Sequence, residues 1–138
     1  MLKRVDFAGH WTLTRQIEDR TAGPNGQFVG TAVFEAIADA TLRYTETGTL
    51  QLGQGPSMTA ERSYLWEFAA DRVDVFFDDG RDFHHFVPDG VSEGSDHPCG
   101  EDFYTVTYDF TVWPNWVATW TVTGPRKDYT SVTRYQPA

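Results

Sequence analysis

Cysteine is almost absent. Cys99 stands alone among 138 residues, so no internal disulfide is possible. Basic residues are scarce as well: 11 Lys and Arg face 20 Asp and Glu, a formal charge of −9 at pH 7. An acidic surface repels phosphate backbones and anionic lipid, which argues against a general nucleic-acid binder and against a protein held on a membrane by a basic patch. No stretch approaches the roughly 20 apolar residues of a membrane-spanning helix. The start of the chain, from Met1 to Trp11, is basic but carries no apolar run of signal length, so nothing marks it for export. Together with the missing disulfide, this predicts a reducing, cytoplasmic compartment. A Gly-rich phosphate loop and a Gly-x-Ser-x-Gly elbow are both lacking, and with them the signatures of kinases, NTPases and serine hydrolases.

Aromatic residues, by contrast, are plentiful. They make up 15% of the chain and all hydrophobic residues 40%, enough for a core and too much for wholesale disorder. No linker, charge block or internal repeat divides the sequence, so residues 1–138 are expected to form one domain.

Period two dominates, and no segment has a convincing helical period. Trp11, Leu13, Arg15 and Ile17 share one face of a first strand. Phe28, Gly30, Ala32 and Phe34 share a face of the second. Leu42, Tyr44, Glu46, Gly48 and Leu50 do so in the third, and Arg62, Tyr64, Trp66 and Phe68 in the fourth. Asp79-Gly80 between two β-rich runs predicts a hairpin of the fifth and sixth. Pro88–Gly100 reads as the longest loop. Asp102, Tyr104, Val106, Tyr108 and Phe110 then alternate inward, followed by Trp116, Ala118, Trp120 and Val122, and a last strand runs from about Asp128 to Gln136. The count is nine strands in an antiparallel meander. Closure into a barrel hides both edges and apolar face, so the expected fold is all-β, an up-and-down antiparallel barrel of about 8–10 strands with room inside for a small ligand.

Gly9-His10-Trp11 at the head of the first strand resembles the Gly-x-Trp element of the lipocalins and their calycin relatives. The resemblance implies a barrel whose Trp plugs the closed end, with an Arg from near the chain's end packed across it. Arg134, sharing a face with Thr130 and Val132, is the residue offered for that cation–π contact. Secreted lipocalins have a signal peptide and usually a disulfide, so their transport role is not implied. The block Gly124–Tyr129, with Asp79–His84 and the His97/Cys99/Asp102/Tyr104 cluster, is also similar to a family catalogued only as a domain of unknown function, which implies the same barrel and supplies no activity.

A two-residue Asp79-Gly80 loop pairs Asp78 with Arg81, Val75 with His84 and Asp74 with His85, putting His84 inside and His85 outside. His84 is then a core histidine bonded to a Tyr or a carboxylate, a ligand contact, or a catalytic group. Glu46 points inward and is costly unless paired, and Arg15 and Arg62 share inward faces that allow pairing. That cluster is either an internal ion pair or a polar anchor in which the unpaired Arg takes a carboxylate, and two inward cations against one anion leave the lumen positive. Asp102 and Tyr104 are expected at the barrel mouth, with Asp102 bonding backbone amides. His97, Cys99 and Asp102 are metal-ligating residue types, but their spacing defines no site.

The expected ligand-contacting set is Arg15, Tyr44, Glu46, Arg62, Tyr64, Trp66, His84, Asp102, Tyr104, Tyr108 and Trp120, around a small amphipathic or anionic molecule. The alternative is an enzyme of isomerase, lyase or hydrolase type in the same lumen, with Glu46 or His84 as general base. No cofactor is otherwise called for, although a haem bound through His84 is a further reading, as is a barrel that only docks other proteins. A homo-oligomer is compatible with all of these.

Overall fold

The computed structural model describes all 138 residues. A single helical turn, α1 (Arg4–Phe7), precedes the strands β1 (Gly9–Asp19), β2 (Gly26–Ala38), β3 (Thr41–Leu52), β4 (Ser57–Phe68), β5 (Val73–Phe77) and β6 (Asp82–Phe86). Two short strands follow, β7 (Val91–Glu93) and β8 (His97–Cys99). The chain then completes β9 (Asp102–Val112), β10 (Asn115–Thr123) and β11 (Asp128–Pro137). All eleven belong to one antiparallel sheet in the order β6-β5-β4-β3-β2-β1-β11-β10-β9-β7, with β8 also paired to β9. This is the expected all-β barrel, nearly closed.

The nine-strand count misses β7 and β8, which lie in the stretch read as a loop. Both sit on the same edge of β9, β8 at Asp102–Tyr104 and β7 at Thr107–Asp109. Counted as one interrupted strand they bring the barrel to ten positions, the even number an up-and-down closure needs. The seam between β6 and β7 is stitched by Ser95 and Ser92 instead of a regular ladder. The Ser95 amide donates to His85 O at 2.8 Å, and the His85 and Val87 amides donate to Ser95 Oγ and Ser92 Oγ.

The core follows from alternation. Trp11, Leu13, Phe28, Phe34, Leu42, Tyr44, Trp66 and Tyr108 are all buried on the faces the period-two pattern assigns them. One end is sealed by α1. Phe7 is fully buried there, its ring 5.0 to 5.8 Å from those of Phe34, Trp66, Phe68, Phe110, Trp113 and Trp116. Trp11 joins this plug and donates its Nε1–H to Phe7 O at 2.8 Å.

Arg134 does not cross Trp11. It is exposed on the outer wall, opposite Thr14 and Val117. The last strand is turned over relative to the hydropathy reading. The Gly124–Lys127 turn pairs Thr123 with Asp128, which sets Ser131 beside Trp120, Thr133 beside Ala118 and Tyr135 beside Trp116. The polar Ser131 and Thr133 therefore point in while Val132 does not. Trp11 is covered instead by Trp113 and Trp116, at 5.4 and 6.0 Å.

The Asp79-Gly80 hairpin is also longer than a two-residue loop. Phe77 N–H donates to Arg81 O and Gly80 N–H to Phe77 O, both at 2.8 Å, so Asp78, Asp79 and Gly80 form the loop, with Gly80 at φ +90°. Arg81 pairs with Asp79, and Asp78 with Arg43, in place of the expected Asp78–Arg81 pair. A bulge at Phe83 then cancels the offset and restores Val75 opposite His84 and Asp74 opposite His85.

Candidate functional site

Away from the Phe7 plug the barrel opens into a cavity of about 560 Å³. Ten of the eleven expected residues line it: Arg15, Tyr44, Glu46, Arg62, Tyr64, Trp66, His84, Tyr104, Tyr108 and Trp120. Asp102 does not. It lies on the rim, its carboxylate 3.1 Å from Lys127 Nζ, so a charge pair holds it in place of the backbone amides expected. Lys127 Nζ stands 5.9 Å from the Tyr104 ring centroid, which ties the β10–β11 turn to the same rim.

The inner wall carries one polar cluster. Arg15 donates Nη1–H to Glu46 Oε2 at 2.7 Å, Nη2–H to Glu46 Oε1 at 2.8 Å and Nε–H to Thr133 Oγ1 at 2.7 Å. Tyr44 donates its hydroxyl to Glu46 Oε1 at 2.5 Å and meets Tyr135 OH at 2.8 Å. Arg62 donates Nε–H to Glu46 Oε2 at 3.0 Å. Glu46 thus accepts four hydrogen bonds, and each oxygen is doubly used. Burial by itself would raise the Glu46 pKa. The Arg15 hydrogen bonds, the Arg62 and Arg15 charges and the Tyr44 hydroxyl outweigh it and hold the carboxyl at about 2. Burial, with the Tyr135 and Glu46 charges behind it, pushes the Tyr44 hydroxyl well above the usual phenol range.

The two arginines differ. Arg15 has 9% side-chain exposure and spends all three guanidinium nitrogens on the protein. Arg62 has 48% exposure and bonds the protein through Nε alone. Its Cζ lies 5.6 Å from the Tyr64 ring centroid, so the free Nη edge is carried at the cavity wall.

His84 is buried at 7% exposure, with Nε2 2.9 Å from Tyr108 OH and Nδ1 without a partner. Burial, and to a lesser degree the fields of His97 and His85, lowers its pKa to about 3, so the ring is neutral. Phe83 and Trp120 pack edge-on against it at 4.6 and 4.8 Å. Nε2 is thus engaged by Tyr108 and Nδ1 is buried, so neither nitrogen is presented to the cavity in this arrangement as an axial ligand of haem would be. His85 is exposed on the outside. His97 packs on Phe77, Phe83 and Tyr104, Cys99 is exposed at the mouth, and Asp102 faces Lys127, so these three do not converge.

Several lining residues escape the sequence reading. Ser131, Thr133, Tyr129 and Tyr135 line the cavity because β11 is turned over. Phe83 lines it beside His84 because the bulge aims two consecutive side chains inward. The Tyr135 ring stacks on Trp116 at 3.7 Å and 7°, a contact between strands paired in register. The one available signal for β11 was the pair Tyr129 and Tyr135, an even number of residues apart.

No helix of the chain is long and apolar enough to cross a membrane. No curated protein sequence matches it. Among solved structures, the S-type phycobiliprotein lyase CPES from Guillardia theta aligns with a TM-score of 0.72 over 98% of this chain and 90% of that one, at 8% identity. A protein of unknown function from the DUF3598 family of Nostoc punctiforme aligns at 0.59 and 15% identity, over 98% of this chain and 48% of its own. The redesigned β-barrel mFAP1, bound to DFHBI, aligns at 0.50 and 11% identity over 96% of each chain. At such identities the likeness concerns the fold alone. Residues 7–137 match the Family of unknown function (DUF6314), and the chain belongs to that family.

Proposed function

We propose that the barrel binds a small amphipathic anion, with its apolar body against the aromatic wall and its charged group at Arg62. The observation that carries this reading is the contrast between the arginines: Arg15 is fully consumed by Glu46 and Thr133, whereas Arg62 keeps both Nη groups free at the wall of an open cavity of about 560 Å³. A volume of this order is ordinary for small-molecule sites, and a similar barrel holds DFHBI. The exposed free thiol of Cys99 is in keeping with a reducing compartment, and the cytoplasm is the location that reading favours.

Glu46 and His84 are poorly suited to acid–base chemistry. Both Glu46 oxygens already accept two hydrogen bonds each from Arg15, Arg62 and Tyr44, and His84 Nε2 is held by Tyr108; the pKa of each is also shifted downward, the carboxyl by its arginines and the imidazole by burial. Binding without turnover is the function favoured here.

The test is a titration with anilinonaphthalene sulfonate, followed by its own fluorescence and by quenching of the lumen tryptophans. Saturable binding to the wild type that is weakened in Ser131→Phe, whose ring projects into the cavity, supports the proposal. Binding that is unchanged in that variant places the probe outside the barrel and overturns it.

A further inference from the structure

We infer that the ligand is a flat aromatic monocarboxylate, its carboxylate received by Nη1 and Nη2 of Arg62 and its ring system aligned with the Phe77–Phe83–Trp120 stack. This rests on the reading of the barrel as a small-molecule binder and narrows it to one chemical class.

The charge follows from the cluster. Arg15, Arg62 and Glu46 share one hydrogen-bonded unit with two cations and one anion. One positive charge is left over, and it sits on the half-exposed Arg62. The other charged groups at the cavity are spent or solvated: Arg81 pairs with Asp79 at 75% exposure, and Asp82 is exposed. A monoanion neutralises the remainder. A dianion brings a second negative charge beside Glu46, where nothing pairs it.

The anion type follows from the geometry. With Nε committed to Glu46, Arg62 offers the edge formed by its two Nη groups, a planar fork that matches a carboxylate through two parallel hydrogen bonds. A neutral group gains little there.

The shape follows from the wall. Phe77 and Phe83 lie 4.5 Å apart at 17°, and Phe83 and Trp120 lie 5.0 Å apart at 15°. Three rings from β5, β6 and β10 are thus nearly parallel, and the bulge that turns Phe83 inward is what completes the set. Phe83 is packed between the other two and Arg81 lies over Phe77, so no plane inserts between the rings; a flat body extends the stack from its Trp120 end, in the orientation the parallel planes define, and a flexible alkyl chain gains no such orientation.

Calorimetric titration with four probes tests the inference: naphthoate, the neutral naphthamide, a naphthalene dicarboxylate and decanoate. Naphthoate is expected to bind the wild type about tenfold or more tightly than the other three. In Arg62→Gln its advantage over naphthamide is expected to vanish, and in Arg62→Lys, which keeps charge without the fork, to be retained in part. Both variants leave Glu46 bonded to Arg15 and Tyr44, and their unchanged circular dichroism and melting verify the fold. Affinity for naphthamide or the dicarboxylate equal to that for naphthoate, or an advantage over naphthamide that survives Arg62→Gln, overturns the monocarboxylate assignment, and equal affinity for decanoate overturns the flat aromatic one; either leaves the lumen reading intact if Ser131→Phe weakens binding. No binding of any probe, or binding indifferent to Ser131→Phe, overturns the lumen reading and this inference with it.

Discussion

Arg15 and Glu46 meet as a two-pronged ion pair inside the barrel although their strands are not neighbours. Arg15 stands on β1 and Glu46 on β3, with β2 between them. On β2, Phe28 stands opposite Arg15 and Ala32 opposite Glu46, with Gly30 between, so the Arg15 side chain crosses the strand over the Phe28 ring, Cζ 5.1 Å from its centroid, and over positions with almost no side chain. Thr133 on β11 completes it. One buried unit therefore ties together strands from both halves of the chain.

Removing one partner of such a pair leaves the other charge buried and uncompensated. Glu46→Leu is expected to cost about 3–5 kcal/mol of folding stability. The double change Arg15→Met with Glu46→Leu, which removes both charges, is expected to cost clearly less than the sum of the single changes. Urea denaturation of the four proteins measures the coupling. Strict additivity would show that the two groups do not act as a unit.

Stability should fall in two stages as pH drops. His84 titrates near 3 in the folded protein against 6.5 as an unperturbed group, so below pH 6.5 the unfolded chain takes up a proton that the native state refuses, and stability falls as pH goes from 6.5 toward 3. Glu46 titrates near 2 against 4.5, so its contribution is complete above pH 4.5 and is lost as pH falls through about 2. Denaturation midpoints across this range measure both. In His84→Phe the decline between pH 6.5 and 4.5 should become shallower, and an unaltered decline there would assign it to other groups.

Phe7 tests the sealed end. It is fully buried at the centre of six aromatic neighbours, and Trp11 bonds only its backbone oxygen. Phe7→Ala keeps that bond while emptying the plug, and is expected to cost about 3–5 kcal/mol. A thermal melt indistinguishable from wild type would mean that α1 does not close the barrel.

Gly94 tests the seam. A Cβ there would stand 2.4 Å from Val106 Cγ1 and 3.4 Å from both His84 Cδ2 and His85 O. Gly94→Ala must drive the β7–β8 segment and the Val106 side chain of β9 apart, and an expected loss of about 1–3 kcal/mol should come with faster exchange of the residue-94 amide, which donates to Val106 O, and of the Ser95 amide, which donates to His85 O. Exchange that is slow and unchanged at these two amides would show that the seam tolerates the methyl group.

Much of the barrel was legible along the chain wherever the inward face was apolar. Trp11 through Ile17, Leu42 through Leu50 and Tyr104 through Phe110 announce their faces by strict alternation, and the inward positions of Arg15, Glu46 and His84 follow by counting in twos. β11 defeated the same counting. Its inward residues include the polar Ser131 and Thr133, and Thr133 is satisfied by Arg15, 118 residues away. Hydropathy within the strand contains no sign of that partner. The Phe83 bulge escaped for a related reason: one extra residue in a five-residue strand shifts the period without changing the composition.

The sequence by itself therefore determined the class of fold, one continuous antiparallel ribbon, and the charges and rings that ribbon turns inward. Only the tertiary structure decided which arginine is consumed and which stays free, which end is stoppered, and where the last strand faces. Those outcomes depend on contacts between strands far apart in the chain, set by register and closure, and local alternation carries no information about either.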